Sequence, residues 1–271
     1  MFFSRKKKDA AASEVGLSED VLANEDLIEE TVGSAGHEDV EIGPDENGDM
    51  EVHTENGEDS EDNPAEPEEE QDEWAKFDLS QDWRADGPFD IDEVDLSADE
   101  VTRLDLGALI LTPERGMNIK LVANADTKEI LHVVVENGPQ SALQLTVFAA
   151  PSTGNYCARV RKEIIAGTQN AKVIEQVKGP FGTELRRVLT VSDDKGNEGF
   201  APVRDWLLSG PRWVLNARLV GQAALDTEAK GPAAQLEEFV HNIIVRRGDA
   251  AMVPGAVIPL QPNVPTPGIP A

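Results

Sequence analysis

The sequence predicts an α+β fold in which two helices pack on mostly antiparallel sheets, preceded by a disordered acidic arm. Three observations carry this prediction. Acidic residues are concentrated before residue 106, apolar residues alternate along short segments between residues 104 and 247, and the connections between those segments are short. Short connections favour antiparallel neighbours, because parallel strands need a long crossover between them.

The net charge of −28 on 271 residues is spread very unevenly. Residues 1–73 contain four basic and 26 acidic residues, residues 74–105 have a net charge of −7, and residues 106–271 have a net charge of +1. Electrostatic repulsion keeps the acidic arm away from phosphate surfaces, but it does not exclude the nearly neutral body from them.

Residues 1–73 are predicted to be disordered. Their few apolar side chains cannot offset the entropy lost on ordering the chain, and their charges repel one another. Within this arm, Leu17, Val21, Ile28 and Val32 recur at helical spacing. The pattern indicates either a short helix that folds into a partner's groove or an unfolded stretch with a few apolar residues.

Composition and motif content exclude several function classes. One cysteine, Cys157, excludes an internal disulfide and a cysteine-based zinc cluster. No phosphate-binding loop, dinucleotide-binding glycine motif or nucleophile elbow is present, and no two histidines lie at metal-pair spacing, so neither a cofactor nor a metal is expected. The basic residues 5–8 precede no apolar segment, and no run of 18 apolar residues exists. A cytoplasmic location is therefore expected, without a secretory signal or a transmembrane segment.

Residues 74–103 contain four of the 13 aromatic residues: Trp74, Phe77, Trp83 and Phe89. Because aromatic side chains bury a large area, this segment is predicted to anchor the arm to the folded body. The alternative is an exposed aromatic peptide that a partner recognises.

Residues 104–253 are predicted to form the α+β domain in the order ββββα-ββββαβ. The strands are placed at residues 104–111, 117–124, 129–136, 141–149, 172–178, 183–192, 200–209, 212–221 and 243–247, and the helices at 154–166 and 232–242. In the strand at 212–221, Trp213, Leu215, Ala217 and Leu219 share one face.

The helix at 154–166 is predicted to bury a stripe formed by Tyr156, Val160 and Ile164. Arg159, Arg161 and Lys162 are then expected to face solvent. After this domain, residues 254–271 hold six prolines, which predicts an extended tail that supplies no hydrogen-bond donors to a sheet.

Three Gly-Pro turns each present a bulky side chain, at Gly87-Pro88-Phe89, Gly179-Pro180-Phe181 and Gly210-Pro211-Arg212-Trp213. Glycine permits unusual backbone angles and proline fixes the next one, so each turn is a rigid corner. They are interpreted either as turns at sheet ends or as the wall of a shared site, in which Arg212 supplies a cation and Phe181 and Trp213 supply apolar surface. Glu184 and Asp205 are available to pair with Arg212, which would make the cluster purely structural.

These turns, together with the run Gly179-Pro180-Phe181-Gly182-Thr183-Glu184-Leu185 and the triplet Arg246-Arg247-Gly248, resemble domain of unknown function 3710, an actinobacterial family. The resemblance covers about residues 80–262. It implies an actinobacterial cytoplasmic protein and no particular activity. The end of the domain, at residues 200–247, also looks like the close of PsbP/Mog1-type α+β domains, a likeness of fold that gives no function.

The charge distribution and the missing catalytic motifs favour a non-enzymatic interaction protein with a protein partner. Its acidic arm would steer basic partners or mask basic surfaces. The alternative is a small-ligand-binding protein or enzyme with a pocket formed by Arg212, Phe181 and Glu184. A third hypothesis is that the body binds nucleic acid through basic residues for which the arm competes: Arg186, Arg187, Arg246 and Arg247.

Overall fold

The computed structural model describes residues 72–138, 140–152, 156–192 and 196–262. The predicted arm helix, with Leu17, Val21, Ile28 and Val32, lies outside these residues, and so does the tail beyond residue 262. In chain order the described elements are α1 (Glu73–Asp78), β1 (Phe89–Asp90), a 3₁₀ turn (Ile91–Glu93), β2 (Leu104–Asp105), β3 (Leu109–Leu111), β4 (Met117–Ala123), β5 (Ile130–Asn137), β6 (Ser141–Ala149), α2 (Tyr156–Gly167), β7 (Ala171–Gly179), β8 (Gly182–Ser192), β9 (Glu198–Gly210), β10 (Trp213–Gly221), α3 (Gln222–Leu225), α4 (Pro232–His241) and β11 (Ile244–Val245).

The strands form two sheets, and the predicted α+β class with mostly antiparallel pairing is confirmed. The large sheet has seven strands in the order β4-β5-β6-β10-β9-β8-β7, and each neighbouring pair in it is antiparallel. The small sheet has the order β1-β11-β3-β2, in which β1 and β11 are parallel. Among the described helices, none is long and apolar enough to cross a bilayer.

The first face of the large sheet carries the main core. The predicted alternation in β10 is confirmed, since Trp213, Leu215, Ala217 and Leu219 are all fully buried in one cluster. This cluster also contains apolar residues of α3, α4 and the small sheet, which cover this face. Burying one such side chain contributes about 1.5–3 kcal/mol relative to leaving it in water.

The second face of the large sheet, which carries Val214, Asn216 and Arg218 on β10, packs against α2. The predicted stripe of α2 is confirmed, because Tyr156, Val160 and Ile164 are buried against Val214 and its neighbours.

The expectation that Arg161 faces solvent is wrong. Its side chain is 1% exposed, its Nη1 lies 2.9 Å from Asp78 Oδ2, and its Nε donates to Gln176 Oε1 at 2.7 Å. The reason is α1, which the sequence pattern did not predict. This helix lies beside α2 and supplies the carboxylate that makes a buried guanidinium stable there.

The segment at 74–103 contacts the body through its aromatic and acidic residues. The Phe77 ring lies 6.3 Å from Trp74 and 5.0 Å from Trp83, and Asp78 Oδ1 accepts a hydrogen bond from the amide of Thr183 at 2.8 Å. Phe89 then begins β1, where it pairs with β11.

The predicted first strand, 104–111, is two strands instead of one. Gly107 interrupts it with a φ of +80°, and Asp105 Oδ1 accepts a hydrogen bond from the Gly107 amide at 2.8 Å, so the chain turns back on itself. β2 and β3 then pair with each other as a hairpin.

The expectation that the proline-rich end supplies no sheet donors is wrong for its described part. The amides of Gly255, Ile258 and Leu260 donate to carbonyls of β5 and β6 at 2.7–2.8 Å. The prolines stand at other positions, so the amides between them remain free to donate.

Candidate functional site

The structure places the four predicted site residues in separate environments. Glu184 and Phe181 are buried on the first face of the large sheet, Trp213 is buried at the end of β10, and Arg212 is exposed at a hairpin tip. Neither Glu184 nor Asp205, the two carboxylates available to pair with Arg212, does so, because both bind other arginines.

Glu184 is the centre of a buried hydrogen-bond network. Its carboxylate accepts bonds from Arg204 Nη2 at 2.7 Å, from Trp206 Nε1 at 2.6 Å and from Arg186 Nε at 2.5 Å. Burial alone would raise the pKa of Glu184, but these donors outweigh it and hold the pKa below its usual value. Arg204 Nε donates a fourth bond to this carboxylate at 3.0 Å, so Glu184 stabilises the sheet and its acceptor sites are all occupied.

Asp205 forms a second network on the opposite face of the sheet. Its carboxylate accepts a bond from Arg187 Nη2 at 2.9 Å and another from Arg218 Nε at 2.8 Å. Burial would raise its pKa, and the two arginines lower it by more. Arg187 is only 1% exposed, so it is not available to the nucleic-acid surface considered above.

Phe181 lines a small cleft of about 140 Å³ together with Cys157, Arg84 and Ser209. The Phe181 ring packs on Trp206 at 5.2 Å and on His241 at 4.7 Å. Burial is the main cause that raises the pKa of the Cys157 thiol to about 12, and the charge of the Asp78 carboxylate adds to it. A nucleophilic cysteine needs the opposite shift, so this thiol is a packing residue.

Trp213 is held in place from several sides. Its Nε1 donates to Asp90 Oδ2 at 2.7 Å, and the Arg84 guanidinium lies 5.3 Å from its ring centroid. The ring also covers Gly210 so closely that a Cβ there would come within 2.1 Å of it. Its role is to fix the hairpin that carries Arg212.

Arg212 belongs to a different site, a surface groove of about 340 Å³ that Arg246 and Arg247 also line. Arg212 has a φ of +61° at the tip of the β9–β10 hairpin. Its carbonyl accepts bonds from the Ala150 amide at 2.9 Å and from Arg247 Nε at 3.1 Å. These bonds fix the backbone of the exposed arginine.

The arginines of this groove differ in their partners. Arg246 is neutralised, because its Nη1 binds the Asp105 carboxylate at 2.9 Å and the Gly107 carbonyl at 2.9 Å. Within the described part of the chain, Arg212 donates to the Gly248 carbonyl alone, at 3.2 Å. Arg247 is 9% exposed, and its Nη1 has no hydrogen-bond partner among the described residues.

Two of these guanidinium groups, those of Arg212 and Arg247, therefore lack a carboxylate within 4.0 Å among the described residues. Burial lowers the pKa of Arg247, and the charge of Arg212 lowers it further. Asp92 and Asp249 stand exposed at the rim without forming an ion pair to either arginine. Paired guanidinium groups recognise planar or tetrahedral anions, a carboxylate or a phosphate, through charge-assisted hydrogen bonds.

No group of three or more histidine, cysteine, aspartate or glutamate side chains in the described part of the chain could hold a metal ion.

His132, on the second face of the sheet, is expected to make stability depend on pH. Burial, followed by the charge of Arg218, lowers its pKa to about 4, whereas an unfolded histidine titrates near 6.5. Protonation therefore favours the unfolded chain, and this contribution to stability is lost as the pH falls from 6.5 to 4. The loss should reach about 3 kcal/mol.

Chemical denaturation at a series of pH values measures this effect. The difference in unfolding free energy between wild type and His132→Gln should change by that amount across the window, because carboxylates titrate equally in both proteins. Two parallel curves would show that His132 is not responsible.

The fold and the groove together define an α+β protein with a seven-stranded sheet and an arginine-lined surface site. Its sequence matches the model of a protein family of unknown function, DUF3710, over residues 87–266. The chain belongs to this family, which confirms the resemblance carried by the Gly-Pro turns.

One solved structure that resembles the chain is the solution structure of cyanobacterial PsbP (CyanoP) from Synechocystis sp. PCC 6803. The sequences are 12% identical, and the match covers 53% of this chain and 91% of that one with a TM-score of 0.31. A search of curated proteins found no match.

Proposed function

We propose that this chain is a binding protein whose folded part holds an anionic group, a carboxylate or a phosphate, in the groove between Arg212 and Arg247. One observation carries the proposal. The Arg247 guanidinium is nine-tenths buried, its Nη1 has no hydrogen-bond partner among the described residues, and its charged neighbour is the Arg212 guanidinium rather than a carboxylate.

An anion would relieve two costs at once. A buried donor without an acceptor costs about 1–3 kcal/mol, and more when it is charged. Two adjacent guanidinium groups also repel each other, more strongly where water is partly excluded. An anion between them supplies the missing acceptor and reverses the repulsion.

The groove is also preorganised. Arg212 is held by bonds to its carbonyl from Ala150 and Arg247, and Trp213 clamps the adjacent turn. A ligand therefore has little of the backbone left to order when it binds, which preserves more of the interaction energy as affinity.

We further propose that the anionic group is carried by a protein partner in the cytoplasm, which keeps the interaction role that the charge distribution favours. The net charge of −22 on residues 1–73 supports this role, since it repels competing polyanions and attracts basic surfaces around the docked group. An actinobacterial source, implied by the family resemblance, belongs to the same proposal.

Titration of the full-length protein with inorganic phosphate and with citrate, at constant ionic strength, tests the site. We expect saturable binding that Arg212→Ala weakens at least tenfold, because one charge-assisted hydrogen bond is worth about 1.5–3 kcal/mol. Arg159→Ala is the matched control. Arg159 is exposed on α2 and pairs with Glu163, four residues along that helix, at 2.9 Å.

Absence of saturable binding for both anions, or equal weakening by Arg159→Ala, would contradict the anion site. Affinity purification with wild type, Arg212→Ala and Arg159→Ala as baits then tests the carrier. A protein partner should be lost only with Arg212→Ala. If the titration confirms anion binding but the capture of no protein depends on Arg212, the ligand is a free small anion.

A further inference from the structure

The groove that contains Arg212 and Arg247 has as many negative as positive side chains among its described lining residues. Three aspartates and three arginines line it: Asp90, Asp92, Asp249, Arg212, Arg246 and Arg247. A phosphate dianion in such a groove is attracted by the arginines but repelled by each carboxylate beside it. The balanced charge of the lining therefore indicates a ligand that carries both signs of charge.

Two of these aspartates are available to a ligand. Asp92 and Asp249 are exposed, and their carboxylates form no hydrogen bond or ion pair with described residues. Asp90 differs, because it is 4% exposed, its Oδ2 accepts a bond from Trp213 Nε1 at 2.7 Å and its Oδ1 accepts one from the Asp92 amide at 3.0 Å. A cationic group of a ligand would therefore bind at Asp92 and Asp249.

The positive charges that remain unpaired lie deeper in part. Arg246 is offset by the Asp105 carboxylate at 2.9 Å, which leaves Arg212 and Arg247. Arg247 is 9% exposed, and its Nη1 has no hydrogen-bond partner among the described residues. A ligand that fits this arrangement brings an anionic group to the recessed arginine and keeps a cationic group at the surface.

We infer that the ligand is the C-terminal residue of the partner protein and that this residue is a lysine or an arginine. Resting on the anion site proposed above, this assigns the terminal carboxylate to Arg212 and Arg247 through charge-assisted hydrogen bonds. The basic side chain of the same residue would bind the exposed carboxylates of Asp92 and Asp249.

The volume of the groove fits one such residue. A lysine with a terminal carboxylate has ten heavy atoms, and at no more than the volume of a water molecule each, about 30 Å³, it fills up to about 300 Å³. The groove has about 340 Å³. An inorganic phosphate has half as many heavy atoms and would leave much of the groove to water.

A chain end fits the recessed position better than a segment that passes through the groove. A passing segment must leave the groove at both ends, and its peptide groups would have to lose water without finding partners. A terminal residue leaves at one end only, and no peptide bond follows its carboxylate. It can therefore reach Arg247, whose side chain is nine-tenths buried.

The charge of the N-terminal arm favours the same kind of ligand. Residues 1–73 have a net charge of −22, which attracts a basic chain end and repels polyanions. The arm and the two exposed aspartates of the groove thus select for the same sign of charge.

Fluorescence anisotropy with four peptides tests this specificity on the full-length protein. The peptides share one sequence and an N-terminal label, and they end in lysine carboxylate, lysine amide, alanine carboxylate or phosphoserine amide. The lysine carboxylate should bind most tightly. The amide should bind at least tenfold more weakly, because it lacks the charge-assisted bonds to the arginines. Alanine should cost about three- to fivefold, since exposed ion pairs are weak.

Substitutions in the groove assign the two contacts. Asp92→Asn/Asp249→Asn should lower the affinity for the lysine peptide to that for the alanine peptide, without weakening the alanine peptide. Asp126→Asn is the matched control, because it removes the same charge from an exposed turn between β4 and β5 and should retain the preference. Arg212→Ala should weaken both carboxylate peptides alike.

Four outcomes would overturn the inference. They are equal affinity for the lysine and alanine carboxylates, a preference that survives Asp92→Asn/Asp249→Asn, tightest binding of the phosphoserine peptide, and free lysine binding as tightly as the lysine peptide. In each case, Arg212-dependent binding of phosphate and citrate would show that the anion site itself is correct. If neither anion nor any peptide binds saturably, the anion site and its assigned ligand are both wrong.

Discussion

Replacing Glu184 by glutamine is expected to lower the free energy of unfolding by about 3–5 kcal/mol, the usual cost of removing one partner from a buried ion pair. The side chains of Glu184 and Arg204 are 0% and 4% exposed. Glutamine keeps the shape of the side chain but cannot neutralise Arg204, which would stay charged away from water.

Urea denaturation measures this loss, with Glu228→Gln as the control. Glu228 pairs with Lys230 on the surface, where ion pairs contribute about 0–1 kcal/mol. The double variant Glu184→Gln/Arg204→Met should recover part of the loss, because it removes the stranded charge. A change below 1 kcal/mol for Glu184→Gln would show that Arg204 is neutralised in another way.

The stability that Glu184 contributes depends on pH. The pKa of Glu184 is lowered in the folded protein, so its contribution is complete above the unfolded value of 4.5 and is lost as the pH falls through the folded value. The Glu184→Gln protein should therefore lose less stability than wild type on acidification below pH 4.5.

The large sheet could be predicted because its strands carry a local signal. In β10 the side chains from Trp213 to Leu219 alternate strictly, and this alternation fixes which residues face the core. α1 could not be predicted in the same way. It is six residues long and has no buried residue, so no apolar period marks it. The burial of Arg161 depends on that helix and was missed with it.

The candidate site could be predicted only in its parts. The sequence singled out Arg212 at a rigid turn and the triplet at Arg246-Arg247-Gly248, but it did not predict that the two are in contact. They meet because Arg247 Nε binds the Arg212 carbonyl, a contact between residues 35 positions apart. Sequence spacing carries no information on such a contact.

Phe181 and Trp213 were expected to form the walls of a site with Arg212, and both are buried away from it. Trp213 folds back over Gly210, the glycine of its own turn, and its indole N–H finds a carboxylate at Asp90. An aromatic side chain at a glycine turn can pack inward because the glycine leaves room for the ring. The turn motif is compatible with both orientations, so only tertiary packing decides between them.

Asp205→Asn is expected to lower the free energy of unfolding by as much as Glu184→Gln does, about 3–5 kcal/mol, for a related but distinct reason. Asp205 stands between Arg187 and Arg218, and all three side chains are at most 1% exposed. Asparagine would leave two buried guanidinium groups facing each other without the carboxylate that separates them, and its amide would offer a donor where only acceptors fit.

Asp99→Asn is the matched control, because Asp99 also binds an arginine, Arg103 at 2.8 Å, but on the surface. Urea denaturation should show a large loss for Asp205→Asn and little change for the control. Arg204 and Asp205 are neighbours on β9 whose side chains point to opposite faces, so the losses from Glu184→Gln and Asp205→Asn should add within about 0.5 kcal/mol. A double variant that loses much less than the sum would show that the two charge networks are coupled through the strand between them.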